Sequence, residues 1–414
     1  MKILFNSWPL LGVLFLGSCG GNTATTETVN GTETNTNTEN LPNPETAEKN
    51  SPEYKSAFAG QTRIAGVKTS TPYVIDVLNT SLGKPWGITN LPDGRFLVTE
   101  KSGFFNIISK DGKTVTKVTG LENMQVDPKG QGGLLDVALD PDFANSRMIY
   151  FSFSETVFNE NNTAVGKGKL SADEKTIENP YVIFRAKPSY NGDKHYGSRL
   201  VFDKDGNLFV STGERSDLET RPYAQKQDSY LGKVLKITKD GEPAPGNPNL
   251  AGWKPHIYST GHRNPQGLAL DKKGQLWEAE MGPRGGDEIN LIQPGKNYGW
   301  GDVTYGIEYS GAKINNGTTQ KAGTEQPVYY WDPSISMSGI TFYTGTIDEW
   351  KNNMFIGCLS GEKIIRLVIQ NNKVVGEEWL LTDRKDRFRD VLNGNDGHLY
   401  TVSDSGKLYR ISKK

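Results

Sequence analysis

The sequence is poor in cysteine. Only two of its 414 residues are cysteines, Cys19 and Cys358. Cys19 falls in a predicted targeting segment, which leaves one thiol, and one thiol cannot form an internal disulfide. The folded part must therefore be stable without a disulfide. Cys358 stands in the apolar run MFIGCL, which predicts a small core residue rather than a nucleophile.

An excess of charge of either sign is also missing. The chain has 47 Lys and Arg against 48 Asp and Glu, a formal net charge of -1. Near cancellation excludes the strongly basic overall field that nucleic acid or an anionic membrane surface would attract. We therefore predict no nucleic-acid partner.

Long apolar runs at helical spacing are absent from the body of the chain, whereas Gly (47) and Pro (21) are frequent. This composition favours many short strands joined by turns. Six units each consist of an apolar strand, a tight polar turn and a second strand, and they start at Trp86, Val137, Leu200, Leu268, Ile340 and Arg389. Six antiparallel units repeated around an axis predict an all-β, six-bladed β-propeller. Residues 159–179 and 307–323 are predicted to be surface insertions.

The N-terminus has the composition of an export signal. Residues 1–18 carry one early lysine and an apolar stretch too short for a membrane span, which predicts a signal peptide. Leu16-Gly17-Ser18-Cys19 resembles a lipobox, so we expect lipidation at Cys19; the alternative is an uncleaved hydrophobic N-terminus. Residues 19–61 are predicted to be a disordered polar tether, and 62–414 the propeller domain. The predicted location is the periplasm or outer membrane of a bacterium, with membrane contact only through the lipid.

Residues 261–300 are the stretch richest in chemically active side chains. Glycines in GPRGGDE free backbone carbonyls, and Asp287 and Glu288 add anionic oxygens, a combination that suits a calcium-type cation. An ordinary solvated turn between strands is the alternative.

Three further sites stand out by residue type. His195, in a polar loop that enters a strand, is available as a general base, although such histidines often only hydrogen-bond their loop. Gln131 lies in a glycine-rich stretch where a turn residue is the alternative. Arg387 and Arg389 lie two residues apart on one side of a strand, where they face either solvent or an anion.

The motifs GHRNPQGLAL, GPRGGDEINLI and NYGW, in this order, resemble the signature of the soluble quinoprotein glucose/sorbosone dehydrogenases, especially their aldose sugar dehydrogenase branch. The resemblance spans about residues 85–411. It implies a six-bladed propeller that holds pyrroloquinoline quinone over Ca²⁺ and oxidises the C1 hydroxyl of an aldose to a lactone. The electron acceptor that follows is external and is not revealed by the sequence.

The resemblance also assigns roles to residues. HYGSRL resembles the family motif in which His195 is the base, and Arg263 contacts the quinone oxygens and stabilises charge on them. The implied cofactor contacts are Gln131, Arg263, Asn264, Arg387, Arg389 and Ser403. The implied metal ligands are the carbonyls of Gly282, Pro283 and Tyr298 and the side chains of Asp287 and Glu288.

Several positions depart from the family pattern. No lysine stands at Leu359-Ser360-Gly361, where the glucose dehydrogenase branch has a cofactor contact, and Lys363 is off the pattern. Lys194 replaces an acidic or amide residue before the histidine, and Glu308 is the nearest match to a further acidic residue near the metal. Two other functions stay open: a calcium-dependent propeller lactonase or hydrolase, and a non-catalytic, lipid-tethered binding propeller.

Overall fold

The computed structural model describes residues 41–414; the predicted signal peptide, Cys19 and the first part of the tether lie outside the described residues. The strands are β1 (Tyr73–Asn79), β2 (Pro85–Asn90), β3 (Phe96–Glu100), β4 (Phe104–Ile108), β5 (Val115–Val118), β6 (Leu134–Leu139), β7 (Met148–Val157), β8 (Glu160–Leu170), β9 (Ile177–Arg185), β10 (Gly197–Phe202), β11 (Leu208–Thr212), β12 (Lys233–Ile237), β13 (Ile257–Thr260), β14 (Pro265–Leu270), β15 (Leu276–Glu280), β16 (Asp287–Ile292), β17 (Tyr329–Trp331), β18 (Met337–Phe342), β19 (Met354–Cys358), β20 (Ile364–Gln370), β21 (Lys373–Leu380), β22 (Phe388–Asn393), β23 (Leu399–Ser403) and β24 (Leu408–Lys413). The helical segments are α1 (Phe143–Ser146) and three 3₁₀ turns at Arg221–Gln225, Ile314–Gly317 and Asp348–Trp350.

The strands form six four-stranded antiparallel sheets. Five sheets are consecutive meanders, β2–β5, β6–β9, β10–β13, β14–β17 and β18–β21. The sixth combines β22, β23 and β24 with β1, so the first strand closes the last blade. The inner strands β2, β6, β10, β14, β18 and β22 contact one another in a closed ring. The predicted six-bladed β-propeller is confirmed, and each predicted unit corresponds to the first two strands of one blade.

Turn glycines explain why the repeating units bend where they do. Gly94 and Gly397, in the turns after the first strand of two blades, have φ of 84° and 80°. Residues with a Cβ rarely adopt this left-handed conformation, so glycine fixes the turn between the two strands.

A buried ion-pair network centred on Arg199 connects the inner strands. Arg199 of β10 contacts Asp136 of β6 at 3.0 Å and Asp390 of β22 at 2.8 Å. Its Nε donates to the carbonyl of Gln266 on β14 at 2.9 Å, and its guanidinium lies 4.3 Å from the ring centre of Trp86 on β2. One arginine thus joins five blades. Burial, opposed by Arg199, raises the pKa of Asp136 to about 6.

The N-terminal strap, residues 41–72, packs on the propeller. Within it, Ser51 is 2% exposed and Gln61 is fully buried. The Gln61 side chain donates to the carbonyl of Pro327 at 2.9 Å, and its own carbonyl accepts from the amide of Tyr330. Residues 41–61, assigned from composition to a disordered tether, are therefore packed, because their polar groups find partners on the blade β14–β17.

The prediction of a surface insertion at residues 159–179 is wrong. This stretch forms β8 and the start of β9, and β8 pairs with β7 along their whole lengths. Its glycines serve close packing: a Cβ on Gly166 would lie 2.7 Å from the ring of Phe151. By contrast, residues 307–323 contain no strand, as expected of a surface insertion.

Cys358 is fully buried in β19, and burial raises the pKa of its thiol. Its predicted role as a small core residue is confirmed. Among residues 41–414, the structure has no helix with the length and apolar character needed to cross a bilayer.

Candidate active site

An open cleft of about 690 Å³ lies at one end of the inner strands. Most of the lining residues lie just before or at the beginning of the first strand of a blade, or in the segment after its second strand. The cleft is lined by these residues predicted from the sequence: Gln131, His195, Arg263, Asn264, Gly282, Pro283, Arg387 and Arg389. Residues from four blades, far apart in sequence, therefore meet in one cavity.

His195 is held against a buried carboxylate. Its Nδ1 lies 2.5 Å from Oε1 of Glu214, and the two side chains are 7% and 1% exposed. Burial and the nearby Arg263 lower the pKa of His195 to about 4, against the opposing effect of Glu214. The imidazole is therefore neutral at neutral pH. With Nδ1–H donated to Glu214, the Nε2 atom is left as a proton acceptor.

The backbone around His195 is fixed by Gln131. The amide of His195 donates to the Gln131 side-chain oxygen at 2.8 Å, and the Gln131 amide donates to the carbonyl of Asp193 at 2.7 Å. His195 has φ of 49°, a conformation that a side chain-bearing residue adopts only when its surroundings enforce it. Gln131 thus supports the loop of the histidine as well as lining the cleft.

Hydrogen bonds to backbone groups orient the side chains of Arg263 and Asn264. Arg263 Nη1 donates to the carbonyls of Met281 and Gly282 at 2.9 and 2.6 Å, and its guanidinium lies 5.1 Å from the ring centre of Trp300. The Asn264 side-chain oxygen accepts from the amide of Gly197 at 3.1 Å. Each hydrogen bond restricts a rotamer, so both polar ends are set before any ligand enters.

Lys84, Lys101, Arg387 and Arg389 form a cationic wall on the first and last blades. Asp404 bridges the two arginines: it lies 2.9 Å from Arg387 Nε and 3.0 Å from Arg389 Nε. Burial works against ionisation of Asp404, but the two guanidiniums hold its pKa below the usual value. Among the described residues that line the cleft, Asp404 is the one carboxylate. The wall therefore keeps a surplus of positive charge.

The five predicted metal ligands fall in different places. Gly282 and Pro283 line the cleft, whereas Gly282, Glu288 and Tyr298 line a cavity of about 10 Å³ behind it. Asp287 lines neither; its carboxylate accepts from the amides of Gly282, Ile335 and Ser336 at 2.8, 2.8 and 2.6 Å. These contacts tie the loop after β15 to the segment before β18.

Acidic side chains crowd behind Arg263. Glu278, Glu280 and His262 offer ligand atoms within 4.8 Å of one another. His262 Nδ1 lies 3.0 Å from Glu280, and Glu280 also accepts from the backbone amide of Arg263. Burial, with Glu280 nearby, raises the pKa of both Glu278 and Glu288 well above the usual value. Such a concentration of buried carboxylates is electrostatically costly without a cation.

Ser403 does not line the cleft, because its hydroxyl donates to Asp386 at 2.8 Å. The structure also locates the residues that depart from the family pattern. Ser360 lines the cleft, while Lys363 turns away with Nζ 3.2 Å from the ring centre of Trp379. Glu308 is paired with Arg221 at 2.6 Å.

Sequence reasoning missed several residues of the site: Lys84, Lys101, Glu214, Glu280 and Asp404. Four of them share one signal. They end, or follow within two residues, the second strand of a blade: β3, β11, β15 or β23. Aligning the six units with one another would have marked this position.

The sequence model of the family named glucose/sorbosone dehydrogenase matches residues 82–410. The aldose sugar dehydrogenase YliI of Escherichia coli is 41% identical over 349 residues, which cover 82% of this chain and 93% of that protein. The quinoprotein glucose dehydrogenase B of Acinetobacter calcoaceticus is 27% identical over 80% of this chain and 85% of its own.

Solved structures agree with the sequence comparisons. The aldose sugar dehydrogenase of Streptomyces coelicolor in its PQQ-bound form superposes with a TM-score of 0.69 at 29% identity, covering 83% of this chain and all of that one. Similarity thus extends over most of the propeller. The chain belongs to the glucose/sorbosone dehydrogenase family.

Proposed function

We propose that this protein is a quinoprotein oxidoreductase that oxidises the C1 hydroxyl of aldose sugars to lactones, with pyrroloquinoline quinone as the hydride acceptor. The observation that carries the proposal is the union, in one cleft, of a neutral histidine backed by a carboxylate and a wall of surplus cations. Relatives named aldose sugar dehydrogenase and quinoprotein glucose dehydrogenase support it.

The residues present fit the cofactor. Pyrroloquinoline quinone carries three carboxylates, and Lys84, Lys101, Arg387 and Arg389 offer four cations against the single carboxylate of Asp404. Guanidiniums bind carboxylates through paired hydrogen bonds, and the lysines add point charges. Lys101 and Lys84 offer the ammonium groups that the sequence lacks near Ser360. When bound, the quinone supplies the two-electron acceptor that no side chain provides.

His195 is the proposed base. Its neutral imidazole accepts the C1 hydroxyl proton at Nε2 while the hydride leaves C1. Glu214, 2.5 Å from Nδ1, orients the ring and stabilises the imidazolium that forms. Gln131 fixes the loop from its backbone side.

Arg263 is proposed to stabilise negative charge that develops beside it. Because two backbone carbonyls and Trp300 already fix its position, little reorganisation accompanies that stabilisation. Asn264 orients the same end of the ligand.

Calcium is the proposed metal. The carbonyls of Gly282 and Pro283 each accept one side-chain hydrogen bond, and a carbonyl oxygen has a second lone pair. Glu288 and the Tyr298 carbonyl add oxygen donors beside the buried acids. Oxygen donors favour Ca²⁺ over Zn²⁺ or copper.

Export and anchoring are a separate part of the proposal. The signal peptide of residues 1–18 and a lipid on Cys19 would hold the enzyme at a bacterial membrane, where it passes electrons to an external acceptor. Mass spectrometry of the mature N-terminus tests this; an unmodified N-terminus elsewhere contradicts it.

Reconstitution tests the function. Apo-protein is mixed with pyrroloquinoline quinone and Ca²⁺, and reduction of an artificial dye is followed with a panel of aldoses. Sugar-dependent bleaching that requires the quinone is expected. Hydrolysis of lactones without bleaching would support the lactonase alternative, and the absence of both activities would support a binding propeller. The surplus of cations argues against the hydrolase alternative, because a hydrolase has no tricarboxylate cofactor to bind.

A further inference from the structure

Three consecutive residues after β11 are shaped around His195. Glu214 holds its imidazole. Gly213 makes room for its backbone, because a Cβ at this position would clash with the carbonyl oxygen of His195. The third residue, Arg215, is 1% exposed and does not line the cleft. Arg215 is therefore part of the support of the histidine and not of the cleft wall.

The guanidinium of Arg215 holds the backbone that leads into His195. Its Nε donates to the carbonyl of Lys194 at 3.0 Å, and its Nη2 donates to the carbonyl of Gly192 at 2.7 Å. The carbonyl between these two accepts from the amide of Gln131 at 2.7 Å. Three consecutive carbonyls ahead of the histidine are therefore fixed, two of them by one side chain.

Asn161 and Tyr196 keep this guanidinium in place. Nη1 and Nη2 of Arg215 donate to the backbone and side-chain oxygens of Asn161, at 3.2 and 2.5 Å, and the guanidinium lies 4.1 Å from the ring centre of Tyr196. The Tyr196 hydroxyl donates to the same Asn161 side-chain oxygen at 3.0 Å and to the carbonyl of Gly192 at 3.1 Å. Because a guanidinium is planar and its donors point in fixed directions, these contacts set the position of the loop as well.

The position of Arg215 is costly for the fold. All four of its hydrogen bonds go to neutral carbonyl oxygens, and burial lowers its pKa. Its backbone is strained too, since Arg215 and Ser216 have φ of 76° and 80°. Costs of this kind concentrate at functional sites, and here they lie next to the histidine.

We propose that Arg215 is a positioning residue for the base: it holds residues 192–194 so that His195 keeps its backbone conformation and its ring stays against Glu214. The proposal rests on the proposed function. A displacement of about 1 Å can cost about 100-fold in rate, so the position of this loop bears directly on turnover. The charge of Arg215 has a second effect: after burial and Arg263, it adds to the lowering of the pKa of His195, which Glu214 opposes.

Arg215→Met keeps the length of the side chain but removes its donors and its charge. We expect kcat to fall by about 100-fold, with KM for the sugar and the affinity for the quinone within about threefold of wild type. Arg215→Lys keeps the charge without the planar fork and should recover part of the loss. Tyr196→Phe removes one hydrogen bond to the Gly192 carbonyl and should lower kcat about threefold. These two milder variants carry the test if Arg215→Met does not fold.

Arg366→Met is the matched control. Arg366 is 3% exposed, and its guanidinium likewise donates to a backbone carbonyl, that of Glu349, and to the side-chain oxygen of Asn353, but it does not line the cleft. Its replacement should lower the melting temperature and leave kcat of the folded protein at the wild-type value. An equal loss of kcat in Arg366→Met would overturn the proposal, because the effect would then be one of general stability.

NMR titration of the histidine rings gives a readout that needs neither substrate nor cofactor. The chain has only four histidines, so the His195 signal is identified by its loss in His195→Ala. In the wild type the pKa of His195 should be about 4, and in Arg215→Met it should rise toward 6.5, because a nearby cation is lost and the loosened loop admits water.

The outcomes separate the two proposals. A wild-type protein that binds the quinone but shows no sugar-dependent turnover defeats the proposed function, and the titration then decides the role of Arg215: an unchanged His195 titration in Arg215→Met overturns it. Where the wild type does turn over sugar, a folded Arg215→Met protein with the wild-type kcat overturns the positioning role and leaves the proposed function standing.

Discussion

The corner of the cleft formed by His195 and Arg263 and the cationic wall differ in how their side chains are partnered. His195 and Arg263 are buried, and the structure gives both side chains fixed partners: the Glu214 carboxylate for His195, and the carbonyls of Met281 and Gly282 for Arg263. Arg387 and Arg389 share the single Asp404, and Arg387 is 46% exposed. The side chains of the corner are thus held in place by neighbouring groups, whereas the wall keeps an excess of positive charge for a ligand to neutralise. We therefore expect changes in the corner to alter turnover, and changes in the wall to alter cofactor affinity.

Among these variants, His195→Ala should give the largest change in kcat and so separate the corner from the wall most clearly. Removing the base should lower kcat on the order of 10³-fold, within the usual range for general-base catalysis, and leave quinone affinity nearly intact. Stopped-flow dye reduction and fluorescence titration of the quinone measure the two effects. His398→Ala, in the turn between β22 and β23, is the control. Unchanged turnover would remove His195 from the mechanism.

Glu214→Gln keeps the shape of the corner but removes its charge. We expect kcat to fall by about 10²-fold, because the imidazolium loses its counter-charge, while KM and quinone affinity stay near wild type. Steady-state kinetics at saturating quinone measure this. A fall in quinone affinity without a fall in kcat would contradict the separation of corner and wall.

Arg389→Ala tests the wall. Loss of charge-assisted hydrogen bonds should weaken quinone binding by about 10- to 100-fold, with kcat restored at saturating quinone. Isothermal titration measures the affinity. Arg384→Ala is the matched control, because Arg384 pairs with Asp383 at the surface, away from the cleft. Equal losses in both variants would mean a general effect of charge.

The pH dependence of kcat/KM tests the corner without changing any residue. Because burial first and Arg263 second lower the pKa of His195 to about 4, the base form persists as the solution is acidified, and kcat/KM should fall by half only near that value. A half-point near 6.5, the ordinary value, would contradict the buried corner. The unfolded chain binds more protons between these two values, so this group makes the fold less stable as pH falls through them.

Much of this molecule could be predicted from its sequence. Repeated strand-turn-strand units fixed the number of blades, because hydrophobic alternation and turn glycines are local signals. His195 and Arg263 were singled out from local motifs and do line one cleft, while their roles stay predictions. The family and the class of reaction agree with the comparisons.

Contacts between residues distant in sequence could not be predicted, whether within one blade or between blades. Glu214 becomes visible only when its strand lies beside His195, and Lys101 only when the first and last blades meet. Composition also failed at residues 41–61: a polar segment can still pack when a folded surface offers partners, as Asp332 does for Asn50 and Ser51. The stretch 159–179 was mistaken for a loop because its glycines do not form turns: Gly166 makes room for the ring of Phe151, and Gly168 for the side chain of Ile177.

The pairing of β1 with β24 has a consequence for biosynthesis. Among the described strands, β24 is made last, and it forms the only backbone link in the described chain between Tyr73–Asn79 and the rest of the final blade. A nascent chain can complete five blades but cannot join the ring's two ends. A product that lacks β24 would therefore carry an open seam between β1 and β23, with unpaired edges prone to association with other chains.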